Sequence, residues 1–185
     1  MARVLVPLAH GCEELEAVTI IDLLVRAGID VVSAGLESGP VTGSRGVVLV
    51  PKTTLDAVMH EPFDMIALPG GGSGADRLDH DPRITELLKK MASTGHYIAA
   101  ICAAPKVLAH AGLLKGKRAT SYPGFIDRMN LPDTQYLTDA VVQDGKVITS
   151  RGPGAAMEFA LHLVEILAGK ETRNKVEEGL VRQGG

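Results

Sequence analysis

Cys102 lies in Ala99-Ala100-Ile101-Cys102-Ala103-Ala104-Pro105, between an apolar run and a proline suited to the first turn of a helix. That order predicts a sharp strand-to-helix turn with the thiol at its tip. Such an elbow needs small residues two positions either side of the nucleophile, and Ala100 and Ala104 supply them. A thiol at a helix start meets oriented N–H groups and the positive end of the dipole, which favour the thiolate. The expectation is a Cys102 pKa below the free value of about 8.5. The alternative is a buried structural cysteine.

Two further segments bear on this chemistry. Leu68-Pro69-Gly70-Gly71-Gly72 follows another apolar run. Glycines at the end of a parallel strand let backbone N–H groups turn toward a substrate, so Gly70 and Gly71 are candidate oxyanion donors. A loop shaped only for turning is the plainer account. A phosphate cradle lacks its Gly-Lys-Ser/Thr continuation. The third segment, Gly11-Cys12-Glu13-Glu14-Leu15-Glu16, follows the first apolar run. Glu13 and Glu14 suit a helix start and solvent. Glu16 enters an apolar helix, where burial would keep its carboxyl protonated and able to donate to a thiolate. Cys12 on the same rim is a possible second, resolving thiol or a small turn residue. His10 is the one histidine near the rim. No metal-binding spacing occurs.

These residues need elements to hold them. Continuous apolar runs at Arg3–Leu8, Asp30–Ala34, Met65–Leu68, Tyr97–Ile101 and Val147–Thr149 read as strands buried on both faces. Helical patterns cover Glu14–Ala27, Pro82–Ser93, Pro105–Ala111 and Ala155–Leu167. The alternation predicts a doubly wound α/β sandwich. Val47–Val50 and Val141–Val142 read as extra strands, with an antiparallel hairpin near Gly43–Gly46. The last residues, Gln183-Gly184-Gly185, are expected to fray. In the first helix, Val18, Ile20, Ile21, Leu23, Leu24 and Val25 spread around most of the circumference. A second copy of the chain is the expected cover for the outer face, giving a homodimer. A neighbouring helix or loop would serve the same end.

The chain has 185 residues, one domain's worth, with 45% apolar, 3% aromatic and 22% charged residues. The core must therefore be aliphatic. A net charge of −3 without a basic run gives nucleic acid nothing to bind. Two cysteines suit a reducing compartment. The start resembles no signal peptide, and no apolar run spans a bilayer, so a cytoplasmic protein is expected.

Four motifs taken in order carry a resemblance: Gly11-Cys12-Glu13-Glu14-Leu15-Glu16-Ala17, Leu68-Pro69-Gly70-Gly71, Ala99 to Pro105, and Thr149-Ser150-Arg151-Gly152-Pro153-Gly154. Together they resemble the ThiJ/PfpI superfamily, in the branch of the parkinsonism-associated protein. The match runs from Arg3 to about Leu180. The resemblance implies a flavodoxin-like sandwich of a mainly parallel sheet, one ThiJ/PfpI-type domain over 1–185, and a homodimer. It implies an oxidisable nucleophile at Cys102, a protonated partner at Glu16, and backbone donors at Gly70, Gly71 and Ala103. It places Arg45 beside the pocket, reaching across the dimer, with Arg26 near it and Pro153 in the wall. Many members carry a His where this chain has Tyr122, in Ala119-Thr120-Ser121-Tyr122-Pro123. Tyr is a poor base at neutral pH, which leaves Glu16 as the proton-transfer group and Tyr122 as a pocket wall.

The function expected is a cofactor-independent enzyme acting on small reactive carbonyls or on glycated proteins and amines. Its chemistry would be glyoxalase III-like, methylglyoxal to lactate, or protein deglycation. One alternative is an oxidation sensor or holding chaperone, with Cys102 taken to sulfinate. A second is an amidase- or peptidase-like hydrolase, which lacks a clear imidazole base.

Overall fold

A computed structural model describes residues 1–182; the expectation of fraying at Gln183–Gly185 lies outside them. The chain runs β1 (Arg3–Leu8), α1 (Glu14–Arg26), β2 (Asp30–Gly35), β3 (Val41–Thr42), β4 (Val48–Leu49), β5 (Thr53–Thr54), α2 (Leu55–Val58) and β6 (Met65–Leu68). It continues with α3 (Gly72–His80), α4 (Pro82–Ser93), β7 (Tyr97–Ile101), α5 (Pro105–His110), β8 (Arg118–Ala119), β9 (Gln135–Tyr136), β10 (Val141–Asp144), β11 (Val147–Ser150) and α6 (Ala156–Gly179). Seven strands form the main sheet in the order β10-β11-β7-β6-β1-β2-β5. All neighbours are parallel except β10 with β11. This is the flavodoxin-like sandwich, and the five strands expected inside it are all present.

Side chains alternate between the two layers with period 2. Val4, Val6 and Leu8 of β1, Met65 and Ala67 of β6, and Ala99 and Ile101 of β7 pack on one side with Ile20, Leu23 and Leu24 of α1 and Phe159 of α6. Leu5, Ile66, Leu68, Ile98 and Ala100 pack on the other with Ile84 and Leu88 of α4 and Leu108 of α5. The chain winds outward from β1 in both directions, so the gap between β1 and β6 is a topological switch point. Loops at the carboxyl ends of strands open there. All three chemical segments of the sequence lie on that rim.

Helix α3 escaped the sequence reading because two glycines in Gly72-Ser73-Gly74 weaken any helical pattern. The fold explains one of them. A Cβ on Gly74 would lie 2.5 Å from the backbone nitrogen of Cys12, so only glycine lets α3 close on the turn before α1. Helix α6 also outruns the expected Leu167. It breaks at Gly169 (φ 86°) and continues to Gly179, with Val176 returning to the core. The hairpin expected near Gly43–Gly46 is formed by β3 and β4, which pair antiparallel.

Candidate active site

Cys102 is one of two non-glycine residues with positive φ among those described, at 65°. A β-carbon in this region costs about 1–3 kcal/mol and persists only where the surroundings impose it. Here they do. Cys102 N–H donates to the Ser150 carbonyl (2.9 Å), and the Cys102 carbonyl accepts from Tyr122 N–H (2.9 Å). The flanking Ala100 and Ala104 are fully buried, which leaves no room for larger side chains. Cys102 as a whole is 8% exposed.

Glu16 rises from the first turn of α1 beneath the loop after β6 and is wholly buried. Its Oε2 accepts from Gly70 N–H at 2.8 Å. Its Oε1 is buried with no hydrogen-bond partner, and the carboxyl and the Cys102 thiol lie close enough for each to bias the other's proton. Burial pushes the Glu16 carboxyl up to about 7, against the pull of the Gly70 N–H and the Cys102 thiol. The neutral, proton-donating carboxyl that the sequence argument requires is therefore available near neutrality.

Two expectations change. The Cys102 thiol is not acidified. Burial, then the nearby Glu16 charge, push it up to about 12, and bonds from the N–H groups of Gly71 and Ala103 offset only part of this. Helix α5 is six residues long, too short a dipole to offset desolvation. The two groups form a coupled pair: once Glu16 holds its proton the repulsion disappears and the two donors draw the thiol part of the way back down, against the burial that remains. Nor is Gly70 a free oxyanion donor, because its N–H is committed to Glu16. Gly71 and Ala103 remain to face the sulfur. Gly70 matters in another way: a Cβ there would lie 2.6 Å from the Cys102 Cβ and 2.7 Å from Glu16 Oε2.

Glu14, assigned by sequence to the helix dipole and solvent, is buried. Its Oε1 accepts from Arg45 N–H (2.8 Å) and Val47 N–H (3.2 Å), and its Oε2 from the Ser44 hydroxyl (3.1 Å). Burial works to raise this carboxyl, but its own N–H, those of Val47 and Arg45, and Ser44 outweigh it and hold it below the usual carboxylate range. Glu14 thus ties the β3–β4 hairpin to the start of α1. The available signal was Gly43, where a Cβ would meet the Glu14 carboxyl carbon at 2.7 Å. Cys12, in the turn beside it, is fully buried, and burial and the Glu14 charge push its thiol up to about 11. Both cysteines are free thiols.

The family model for the DJ-1/PfpI family matches residues 2–166. The chain belongs to the DJ-1/PfpI family. It is 46% identical to Protein dj-1beta of Drosophila melanogaster over 179 residues, 96% of this chain and 95% of that one. The crystal structure of that fly protein superposes with a TM-score of 0.93, covering 97% of each chain. The Parkinson disease protein 7 homolog of Danio rerio is 44% identical, over 97% of this chain and 96% of its own. The Glutathione-independent glyoxalase DJR-1.2 of Caenorhabditis elegans is 41% identical, over 95% and 92%.

The remaining residues that the DJ-1/PfpI resemblance singled out lie at varied distances from the thiol. Tyr122 is joined to Cys102 through its backbone, and its ring lies against Gly152. Pro153 follows in the turn after β11, whose Ser150 is in register with Ile101. Arg45 is exposed at the tip of the hairpin loop that Glu14 holds. Arg26 is at the far end of α1, ten residues beyond Glu16 and so about 15 Å along the axis. There it pairs with Asp22 (3.0 Å), so within one chain it does not join the site. His10 accepts at Nδ1 from Thr42 N–H (3.1 Å). It lines a cleft of about 440 Å³ with Val41, Arg77 and Arg83, whose walls include neither Cys102 nor Glu16.

Among the described residues no group of His, Cys, Asp or Glu is arranged to hold a metal, and no helix is long and apolar enough to cross a membrane.

Proposed function

We propose that this chain is a cofactor-independent glyoxalase and deglycase that uses Cys102 as nucleophile and Glu16 as acid and base. The observation that carries the reading is the buried Glu16 carboxyl, anchored by Gly70 N–H and facing a thiol held at a strained turn. A group poised near 7 serves both proton donation and proton removal at neutral pH. The C. elegans relative's name as a glutathione-independent glyoxalase lends support.

The steps balance without an external oxidant. Cys102 sulfur attacks the aldehyde carbon of a 2-oxoaldehyde, its proton passes to the carbonyl oxygen, and a hemithioacetal forms. Glu16 as carboxylate removes the proton from that carbon while the neighbouring carbonyl oxygen takes up a proton from solvent, giving an enediol; Glu16 then returns its proton to the neighbouring carbon as the first carbon's hydroxyl gives its proton to solvent. The result is a 2-hydroxyacyl thioester. Water adds to it, the carbon–sulfur bond breaks, and the thiol and a 2-hydroxy acid are released. The aldehyde carbon is oxidised and its neighbour reduced within one molecule. The N–H groups of Gly71 and Ala103, which face the sulfur, stabilise oxygen charge at the carbon it attacks. In a glycated amine the sulfur replaces nitrogen at the carbinol carbon, the carbon–nitrogen bond breaks, the amine leaves with the thiol's proton, and the same hemithioacetal results.

Purified protein is expected to convert methylglyoxal to lactate with no added thiol or metal, and Cys102→Ser to lower kcat by at least about a thousandfold. Absence of lactate from the native protein, or a Cys102→Ser variant as fast as it, overturns the reading.

The oxidation-sensing alternative rests on the same cradle. The donors at Gly71 and Ala103 and a protonated Glu16 would hold the oxygens of a Cys102 sulfinate. The hydrolytic alternative gains nothing from His10, whose Nδ1 is taken by Thr42.

The partner most consistent with the surface is a second copy. Ile20, Leu23 and Leu24 of α1 face the core and Ile21 packs partly against it, while α6 covers one flank. Leu15, Val18 and Val25 stay exposed in one stripe, beside exposed Val47, Val48 and Val50 of the hairpin. Exposed apolar side chains grouped in this way around one ion pair, Asp22 with Arg26, are an interface signature. The native protein is expected to sediment as a dimer at micromolar concentration, and Val18→Glu as a folded monomer. A monomeric native protein would remove the dimer from the proposal.

A further inference from the structure

The chain contains three Tyr, three Phe and no Trp. Of these six aromatic side chains only Tyr122 is exposed, at 48%. Its position is fixed from two sides. Its N–H binds the Cys102 carbonyl at 2.9 Å, so its Cα is tied to the elbow. Its ring lies so close over Gly152 that a Cβ there would come within 3.0 Å of Cδ2. Phe125 meets the ring edge-on, with centroids 6.4 Å apart and planes at 79°, and Lys106 Nζ lies over the Phe125 ring at 5.7 Å. In a protein whose core is aliphatic, an aromatic ring is held against Gly152 and Phe125 and left open to solvent, on a residue whose backbone is bonded to that of the nucleophile. Packing demands do not explain it, since burial of that ring is half complete.

We infer that Tyr122 is a specificity-determining residue, a flat platform that favours electrophiles carrying an aryl or other planar apolar group next to the carbon that Cys102 attacks. The inference deepens the carbonyl chemistry proposed above by naming the substituent the site prefers, but it depends on the ring's placement and not on turnover. The ring supplies the preference through stacking and apolar contact, so the hydroxyl is dispensable.

The test uses alkylation of Cys102 in the native protein, followed by intact mass and peptide mapping, with phenacyl bromide and bromoacetone as aryl and methyl probes. In each case sulfur displaces bromide, and the thiol proton goes to solvent. Rates are divided by those of glutathione with the same reagent, which removes intrinsic reactivity. The native protein and Tyr122→Phe are expected to favour the aryl probe by about five- to tenfold, and Tyr122→Ala to lose that preference, its two glutathione-normalised rates becoming alike. A native preference near one, or an unchanged preference in Tyr122→Ala, overturns the inference. Methylglyoxal turnover measured on the same samples reports separately on the glyoxalase reading, so the two fail independently.

Discussion

Replacing Glu16 by Gln is expected to abolish turnover while making the protein more stable above neutral pH. Burial holds the folded carboxyl at about 7, against an ordinary value of 4.5. Between those two values the unfolded chain has released its proton and the folded chain still holds it. The folded state therefore binds more protons, and stability falls as pH rises through the window, levelling off above about 7. The displacement corresponds to about 3 kcal/mol of stability that Glu16 removes once ionised. Gln keeps an acceptor for the Gly70 N–H and a donor toward sulfur, but never ionises. Urea unfolding should give similar stabilities for the two proteins at pH 4.5 and an advantage for Glu16→Gln approaching about 3 kcal/mol at pH 7.5. Turnover should fall by more than about a hundredfold, because an amide cannot move the proton between the two carbons. A stability difference that does not vary with pH would show that Glu16 titrates normally.

Gly70→Ala tests how little slack the site has. The new methyl would sit 2.6 Å from the Cys102 Cβ, 2.7 Å from Glu16 Oε2 and 2.8 Å from the Ile101 carbonyl oxygen. Two of these partners belong to the elbow, and the third is a carboxyl fixed by the very N–H that would have to move. None is the free end of a flexible side chain. Overpacking of this kind costs about 1–3 kcal/mol. The larger loss should be functional: once Gly70 backs away, Glu16 loses its anchor and the thiol its partner. Methylglyoxal turnover is expected to drop at least about a hundredfold. Gly72→Ala is the matched control, since nothing lies within 4 Å of a Cβ there and the residue opens α3. It should keep native stability and activity. Equal behaviour of the two variants in melting and turnover would mean that the loop yields freely.

Composition and hydrophobic period were enough to locate the layers and the three segments of the site. Runs such as Val4 to Leu8 and Ile98 to Ile101 are apolar at every position because both faces of those strands are covered. The elbow at Cys102 was legible because only small residues and a following proline fit that turn. Glu16 was legible because an acid two positions beyond a helix start, among apolar neighbours, must be buried. These are local consequences of composition and period.

Which distant groups meet depends on the packing of the folded chain. Gly70 and Glu16 are 54 positions apart, and no spacing rule says that the glycine's N–H serves the carboxyl. Glu14 looked like a solvated acid until the hairpin, some 30 residues on, turned three donors toward it. The thiol's proton affinity followed burial and the Glu16 charge, both set by the packing of α1 under the β6 loop. Arg26 sits on the same helix as Glu16 but a helix length away. Helix α3 was hidden by two glycines, of which Gly74 is needed only where the helix meets Cys12. Period and composition report how deeply a residue lies. Hydrogen bonds and charges act over a few ångströms, so pairing is settled only when the segments are brought together.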